Sequence, residues 1–222
     1  MANRLAEIRK AIEIAEKTFA SLEIIPGMTE REVASQICSL LKEYGAKKES
    51  FKTIVASGKR SGMIHGFASD KVIKKGEVVM LDFGALYKEH RSDLTRTYVL
   101  GQPDAKQKMI WALLLRAQKA AIEAVKDGAS SRLVDHSARD IIEKAGYGKL
   151  FKHSTGHGVG RMIHESPRIR RTARTRLKAG MVITIEPGIY FKDWGMRVED
   201  MVLVTKTGCQ LLTHVPRSLK LK

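Results

Sequence analysis

The sequence predicts an α+β domain built from two related halves, residues 1–102 and 103–222, and we expect the whole chain, 1–222, to form one domain. Two observations predict this class. Each half has two segments with apolar residues at helical spacing, then a strand-like apolar run and a hairpin. The second half also repeats the first, with Gly27, Gly45 and Gly76 matched by Gly128, Gly146 and Gly180. Internal pseudo-twofold symmetry is therefore expected.

Four helices are predicted. Apolar residues at steps of three and four indicate a first helix over residues 5–22. Thr29 and Glu32 have the spacing of a capping box, which predicts the start of the second helix. The third helix is expected to start after Pro103-Asp104, and the fourth after Ser130, where the repeat matches the start of the second helix.

A hairpin carries two acids in the first half. It follows a strand predicted over residues 50–57. An apolar run ends at Asp82, and Asp93 stands at the entrance of the return strand. If the hairpin closes at Tyr87-Lys88, Asp82 faces Asp93. Because like charges that close repel each other, the pair must share either a proton or a cation.

A second hairpin repeats this chemistry. Glu186 ends an apolar strand, as Asp82 does, and Glu199 lies within a return strand predicted over residues 196–204. The tip of this hairpin is expected at residues 192–194. Because the two hairpins are related by the repeat, we expect their four carboxylates to converge.

Four converging carboxylates indicate a metal site. Repulsion and desolvation would raise their pKa values by several units unless cations were present. The glycine-rich segment between the hairpins supplies His153, His157 and His164. Four carboxylates and one imidazole suit a pair of divalent manganese, cobalt, iron or zinc ions. Such a site makes hydroxide from a bridging water and polarises a carbonyl, which favours peptide or amide hydrolysis.

Composition limits the other functions. The formal net charge of +16 suggests an anionic partner, but no RNA-binding signature accompanies it, so nucleic acid is not the expected partner. No run approaches the ~20 apolar residues of a membrane span, and no membrane partner is expected. The N-terminus lacks an apolar signal core. Cys38 and Cys209 lack paired spacing, so reduced thiols in a cytoplasmic protein are expected.

Five motifs resemble those of the metal-dependent Xaa-Pro peptidases, aminopeptidase P and prolidase. They are IVASGKRSGMIHG, LDFGALYKEHRSDLTRTYVLG, STGHGVGRMIHESP, GMVITIEPGIY and MRVEDMVLVT. The resemblance implies the pita-bread fold that these enzymes share with methionine aminopeptidase and creatinase. In that fold, two pseudo-symmetric halves surround a curved antiparallel sheet. The implied activity is exopeptidase cleavage, in peptides or dipeptides, between an N-terminal residue and a following proline, with a metal-bridging hydroxide as nucleophile.

The resemblance also implies a role for each site residue. The ligands of two divalent ions would be Asp82, Asp93, His157, Glu186 and Glu199. Mn²⁺ is the expected ion, with Co²⁺, Zn²⁺ or Fe²⁺ as alternatives. Glu186 would in addition be the general base.

The remaining implied roles concern the substrate and the surroundings of the metals. His65 would contact the substrate, and His164 would bind the scissile carbonyl or the tetrahedral intermediate. His153 would support the pocket, and Arg197 and Tyr190 would orient the ligands.

Two departures from the family leave questions open. The sequence starts at the first catalytic helix, so the usual N-terminal domain is expected to be absent. Substrate length, and the choice between a monomer and a homodimer, are therefore not predicted. Residues 168–176 contain five arginines, which we interpret as a solvated loop. The alternatives are a polyanion contact or a cationic rim for peptide carboxyl groups.

Two other functions are weighed against this prediction. The first is methionine aminopeptidase activity on the same fold, which a Met-Ala-Ser peptide would reveal. The second is a binding module that has lost catalysis and uses its basic surface. The complete set of acids and imidazole argues against that second alternative.

Overall fold

In the computed structural model, which describes residues 2–220, the helices follow the predicted order. They are α1 (Ala2–Ser21), α2 (Glu30–Glu43), α3 (Ala105–Glu123) and α4 (Ser131–Lys144). The strands of the first half are β1 (Lys48–Glu49), β2 (Ile54–Ser57), β3 (Val78–Phe83), β4 (Ala85–Tyr87), β5 (His90–Arg91) and β6 (Leu94–Val99). Those of the second half are β7 (Gly156–Gly158), β8 (Glu165–Ile169), β9 (Val182–Ile185), β10 (Gly188–Tyr190), β11 (Gly195–Arg197), β12 (Asp200–Val204) and β13 (Cys209–Leu211). Within residues 2–220, no helix has both the length and the apolar character needed to cross a membrane.

Local hydrogen bonds explain where two of the helices begin. The predicted capping box of α2 is confirmed. The Thr29 hydroxyl accepts from the Glu32 amide at 3.1 Å, and the Glu32 carboxylate accepts from the Thr29 amide at 2.6 Å. Asp104 and Gln107 form a second capping box at the start of α3, at 2.7 and 2.9 Å. The sequence analysis located the start of α3 without this motif.

The named strands pair antiparallel. In the first half they form sheets of order β2-β3-β6 and β1-β4-β5. In the second half they form a sheet of order β13-β12-β9-β7-β8 and the two-stranded pair β10-β11. The strand predicted over residues 50–57 is shorter than expected, because only Ile54–Ser57 pairs with β3.

The predicted repeat is confirmed in three dimensions. An isolated bridge joins Thr29 to Val72 before α2, and an equivalent bridge joins Ser130 to Arg176 before α4. Each half has its own apolar core between its helices and its sheet. A third cluster, which includes Ile8 of α1 and Met201 of β12, joins the first helix to the sheet of the second half.

The predicted register of the first hairpin is wrong by two residues. Asp82 pairs with Thr95 rather than with Asp93, and the turn lies at Lys88-Glu89, between the paired residues Tyr87 and His90. Side chains alternate between sheet faces with a period of two. A shift of two residues therefore keeps both aspartates on the same face. The register was wrong, but the predicted convergence of the two acids survives.

The return strand predicted over residues 196–204 is also corrected, because it is two strands, β11 and β12. The interruption lies opposite Pro187, which has no amide hydrogen to donate to the ladder. Val198 donates to the Pro187 carbonyl at 3.3 Å, and Glu199 donates to Thr95 of the first half at 3.2 Å. The turn at residues 192–193, closed by the Phe191–Trp194 hydrogen bond of 2.8 Å, agrees with the predicted tip.

The two halves meet where β6 passes the end of β11. Thr97 donates through its hydroxyl to the Arg197 carbonyl at 2.8 Å and accepts from the Arg197 amide at 3.1 Å. Together with the Glu199–Thr95 bond, these contacts place the acids of one hairpin beside those of the other.

Candidate metal centre

A cleft of about 510 Å³ lies at this junction. Nine of the ten site residues predicted from the sequence line it: His65, Asp82, Asp93, His153, His157, His164, Glu186, Arg197 and Glu199. The tenth, Tyr190, is 1% exposed and contacts two of the others. The structure therefore brings every predicted site residue into one region, although several lie more than a hundred residues apart in sequence.

Three of the predicted ligands form a compact group. Asp93, His157 and Glu199 are all buried, and each offers a ligand atom within 4.8 Å of the other two. The Nε2 atom of His157 lies 3.5 Å from an Asp93 oxygen and 3.3 Å from an oxygen of Glu186. The imidazole thus lies between acids of the two hairpins.

The backbone sets the tautomer of His157. Its Nδ1 lies 3.1 Å from the Gly158 carbonyl, and a carbonyl can only accept. In the neutral ring Nδ1 therefore carries the hydrogen, and Nε2 is the nitrogen available to a metal. When Nε2 also carries a hydrogen, it donates to Glu186. Histidines that bind metals are commonly held in this way.

Burial strongly disfavours two of the carboxylates in their charged form. Desolvation, followed by repulsion from Glu199 and Asp82, raises the pKa of Asp93 well above its ordinary range. Desolvation and repulsion from Glu186 and Asp82 do the same to the pKa of Glu199. Thr95 donates to Glu199 at 2.6 Å, which offsets only part of this cost. A nearby cation would remove the penalty.

Glu186 behaves differently. Desolvation acts to raise its pKa, but the hydrogen bond and charge of His157, followed by the charges of His153 and Arg197, lower the pKa to about 2. Thr184 also donates to Glu186 at 3.2 Å. Glu186 is therefore a carboxylate at neutral pH.

Asp82 is only partly satisfied. Arg197 donates to its Oδ2, whereas Oδ1 is buried and has no hydrogen-bond partner among residues 2–220. Desolvation raises the pKa of Asp82, the charge of Arg197 opposes this, and the charge of Glu186 adds to it. A buried oxygen without a donor is costly, and a cation is the partner that its surroundings lack.

A chain of hydrogen bonds supports the acids from behind. Arg197 donates to the Tyr190 hydroxyl at 2.7 Å, and that hydroxyl lies 2.8 Å from Nε2 of His153. Nδ1 of His153 donates to the Ser154 carbonyl at 2.8 Å, so Nε2 accepts from Tyr190. Burial lowers the pKa of His153 to about 4 and raises that of Tyr190 to about 12. Both groups are therefore neutral at pH 7.

The other two histidines lie closer to solvent. His164 packs edge-on against His157, with ring centroids 4.4 Å apart. Its pKa is lowered by burial and by the neighbouring charge of His157. His65 is exposed on the loop after β2, where its ring stacks on Phe67 at 6.4 Å.

The sequence analysis missed two threonines that contact the acids, Thr95 and Thr184. Each lies on a strand two residues from an acid at the end of that strand, since Asp93 immediately precedes β6 and Glu186 immediately follows β9. The alternation of side chains along a strand places such residues on the same face, so this signal was present in the sequence. Lys52 and Arg168 also line the cleft and were not singled out for it.

The residues present fit a pair of divalent ions. The centre combines four carboxylates, one imidazole whose Nε2 faces them, and one unsatisfied buried carboxylate oxygen. Oxygen and imidazole donors of this kind suit manganese, iron, cobalt or zinc. The fold and this centre together define a metallohydrolase of the pita-bread class.

Comparison with known proteins agrees with this class. The model of metallopeptidase family M24 matches residues 6–206, and the chain belongs to that family. The Xaa-Pro dipeptidase of Pyrococcus furiosus is 52% identical over 215 residues. The crystal structure of an X-Pro aminopeptidase from Thermotoga maritima superposes with a TM-score of 0.97 at 40% identity, over 99% of this chain and 63% of that chain. The predicted pita-bread fold and Xaa-Pro peptidase family are thereby confirmed.

These relatives are longer than the present chain. The match to the P. furiosus dipeptidase covers 96% of this chain but 62% of the relative. A structure of prolidase from P. furiosus, with a TM-score of 0.96 and 50% identity, is matched over 98% of this chain and 65% of its own. The chain thus spans somewhat less than two thirds of these relatives.

Proposed function

We propose that the protein is a dimetal exopeptidase that hydrolyses the bond between an N-terminal residue and a following proline. The observation that carries this proposal is the buried group of Asp93, Glu186 and Glu199 around Nε2 of His157, with Asp82 lining the same cleft. The names of its relatives, Xaa-Pro dipeptidase and X-Pro aminopeptidase, support the choice of substrate.

The proposed ligands are those predicted from the sequence. Asp93 and Glu199 would bridge two ions, because each lies between acids of both hairpins. Without the ions, the pKa of each of these two carboxylates is strongly raised. Asp82 would complete one ion through its unsatisfied oxygen, and His157 with Glu186 would complete the other. When bound, such ions supply a water-derived nucleophile at neutral pH and polarise the scissile carbonyl. Mn²⁺ is our proposed ion.

The side chains divide the remaining work. Glu186, charged at neutral pH, would accept the proton of the attacking water and pass it to the leaving proline nitrogen. His164, neutral and at the cleft surface, would donate a hydrogen bond to the carbonyl oxygen as negative charge develops there. His65, on the loop after β2, would contact the substrate.

The charges of the cleft favour short peptides. Lys52 and Arg168 both line the cleft, and Arg168 is exposed. A dipeptide or tripeptide places its terminal carboxylate within a few ångströms of the scissile bond, so cationic side chains at the cleft would hold it. Arg168 is the one arginine of the 168–176 segment that lines this cleft.

A peptide panel tests the proposal. The chain, loaded with Mn²⁺, is incubated with Xaa-Pro, Xaa-Pro-Yaa and Met-Ala-Ser peptides, and release of the first residue is measured. Turnover of the proline peptides alone is the expected result. Turnover of Met-Ala-Ser alone would replace the proposal with methionine aminopeptidase activity. Stoichiometric metal without turnover of any peptide would contradict the proposed catalysis.

A further inference from the structure

We propose that Glu30 is a positioning residue that holds the cleft histidine His65 in place. It would do so by fixing the base of the His65 loop, which we define as residues 58–68. This inference rests on the proposed function, because it gives His65 a role toward the substrate. Glu30 itself touches neither the cleft nor the acids of the metal centre.

The carboxylate of Glu30 is fully buried yet fully hydrogen-bonded. It is 0% exposed and accepts five hydrogen bonds. One oxygen accepts from the amide and the hydroxyl of Ser57, at 2.7 and 2.9 Å. The other accepts from Nε of Arg60 at 2.9 Å and from the amide and hydroxyl of Ser69, at 3.1 and 2.7 Å. Ser57 and Ser69 immediately precede and follow the His65 loop, so one carboxylate ties its two ends together.

The helix does not need this carboxylate for its own start. Glu30 is the first residue of α2, but the Thr29–Glu32 capping box already satisfies the helix terminus. A buried carboxylate is expensive to desolvate unless donors surround it. All five donors come from the loop or its two flanking residues, so the arrangement orders the loop.

Contacts inside the loop connect Glu30 to His65. Arg60, held by Glu30, also donates to the Phe67 carbonyl at 2.5 Å. Phe67 stacks on the His65 ring, and Arg197 of the metal centre donates to the Ile64 carbonyl at 3.4 Å. His65 is exposed and depends on the course of its backbone for its position. Glu30 therefore acts on the cleft through the backbone of the loop.

The other half of the molecule supports this interpretation. In the repeat, Ser131 at the start of α4 occupies the position of Glu30. Its hydroxyl donates to the Thr175 carbonyl at 2.8 Å and makes no equivalent clamp. The clamp is therefore not a feature of the repeat itself, because the equivalent position in the second half lacks a carboxylate.

The test compares two acids of the same helical turn. Glu30→Gln replaces one acceptor oxygen by an NH2 group, which in either orientation faces donors, those of Ser57 or those of Arg60 and Ser69. Glu32→Gln weakens the helix cap and leaves the loop clamp intact. We expect kcat/KM for an Xaa-Pro peptide to fall by about a hundredfold in E30Q, as for other small displacements of catalytic groups, and to stay within about twofold in E32Q. Hydrogen exchange of residues 58–68 should accelerate in E30Q alone.

A double-mutant cycle with His65→Ala tests whether Glu30 affects catalysis through His65. If Glu30 acts through His65, E30Q should cost less than about twofold in the H65A background, since the two changes share one pathway. An equal loss in both backgrounds, or unchanged exchange of the loop in E30Q, would overturn the proposal. Ser69→Ala, which removes one donor and keeps the carboxylate, provides a milder variant should E30Q not fold. The exchange measurement does not depend on turnover, so it tests the clamp even if the wild-type chain cleaves no proline peptide.

Discussion

Asp82, near the end of β3, and Glu186, just after β9, occupy equivalent positions in the two halves, but the surroundings of the two acids differ. The pKa of Asp82 is raised, chiefly by desolvation. The pKa of Glu186 falls to about 2, because His157 and other cationic groups outweigh desolvation. The repeat that matches Gly45 with Gly146 also matches Ala56 of β2 with His157. The first half therefore has an alanine where the second half has this imidazole. This difference of one residue between the halves therefore helps to separate the pKa values of two related carboxylates.

This difference teaches how a symmetric fold acquires two unlike acids. Each hairpin is interrupted shortly after its first acid, at Gly84 in the first half and at Pro187 in the second. In the first half, the missing imidazole is replaced by Arg197, which reaches Asp82 from the second half. Groups whose surroundings separate their pKa values are suited to different chemical roles. This difference supports the proposed roles, with Glu186 as the base and Asp82 as a ligand.

The largest expected effect comes from exchanging each of the two equivalent acids for its amide. Glu186→Gln should lower kcat by about 10³–10⁴, because it removes both a proposed ligand and the proposed proton acceptor. Asp82→Asn at saturating Mn²⁺ should lose at least about tenfold less, since the base remains. Steady-state kinetics across a metal titration measures both. Equal losses in kcat for the two variants would show that the halves are functionally equivalent.

The next effect concerns the arginine that crosses between the halves. Arg197→Met leaves Asp82 buried and without its charge partner, which should cost about 3–5 kcal/mol of unfolding free energy in the metal-free protein. Urea denaturation measures this cost. Arg171→Met, which removes an exposed pair with Glu143, is the control and should cost under about 1 kcal/mol. Similar costs for the two variants would contradict a structural role for the Arg197–Asp82 contact.

A pH series should give opposite signs for acids with opposite shifts. The raised folded pKa of Asp93 destabilises the metal-free protein at neutral pH, and this penalty disappears as the pH falls toward the unfolded pKa of about 3.9. Asp93→Asn should therefore stabilise the metal-free protein at pH 7.5 and lose that advantage near pH 4.

Glu186 has the reverse sign in the same series. Its pKa of about 2 lies below the unfolded value, so its stabilisation is present above about pH 4.3 and is lost as the pH falls toward 2. Glu186→Gln should cost about 2–3 kcal/mol at pH 7.5, as measured by thermal unfolding of metal-free protein. If both amides changed stability in the same direction at pH 7.5, the difference in environment between these acids would be refuted.

The smallest expected effect is that of one hydroxyl. Tyr190→Phe removes the link between Arg197 and His153 and should cost about 1 kcal/mol of stability. Tyr147→Phe, in which the ring still packs edge-on against Phe191, is the matched control. Differential scanning calorimetry of the two variants measures the difference. A Tyr190→Phe protein as stable as the control would mean that the hydroxyl chain contributes nothing.

Much of the fold and of the centre was accessible from local pattern. Helical spacing and capping residues identified the helices, and the repeated glycines identified the two halves, because these signals depend on neighbours in sequence. The position of an acid at the end of an apolar strand identified Asp82 and Glu186 as cleft residues. The register of the first hairpin was not accessible, since a turn one residue later shifts the pairing by two residues and satisfies the same alternation.

The sequence by itself determined that two acidic hairpins and one histidine-rich segment belong to a single centre. Only the tertiary structure decided which groups partner the acids. Arg197 meets Asp82 across 115 positions of sequence, and Glu30 binds Ser57, 27 residues away, at the base of the His65 loop. Such contacts depend on how the two halves dock and on the burial that docking creates. Burial also sets the pKa values, so the difference between Asp82 and Glu186 arises only in the folded chain.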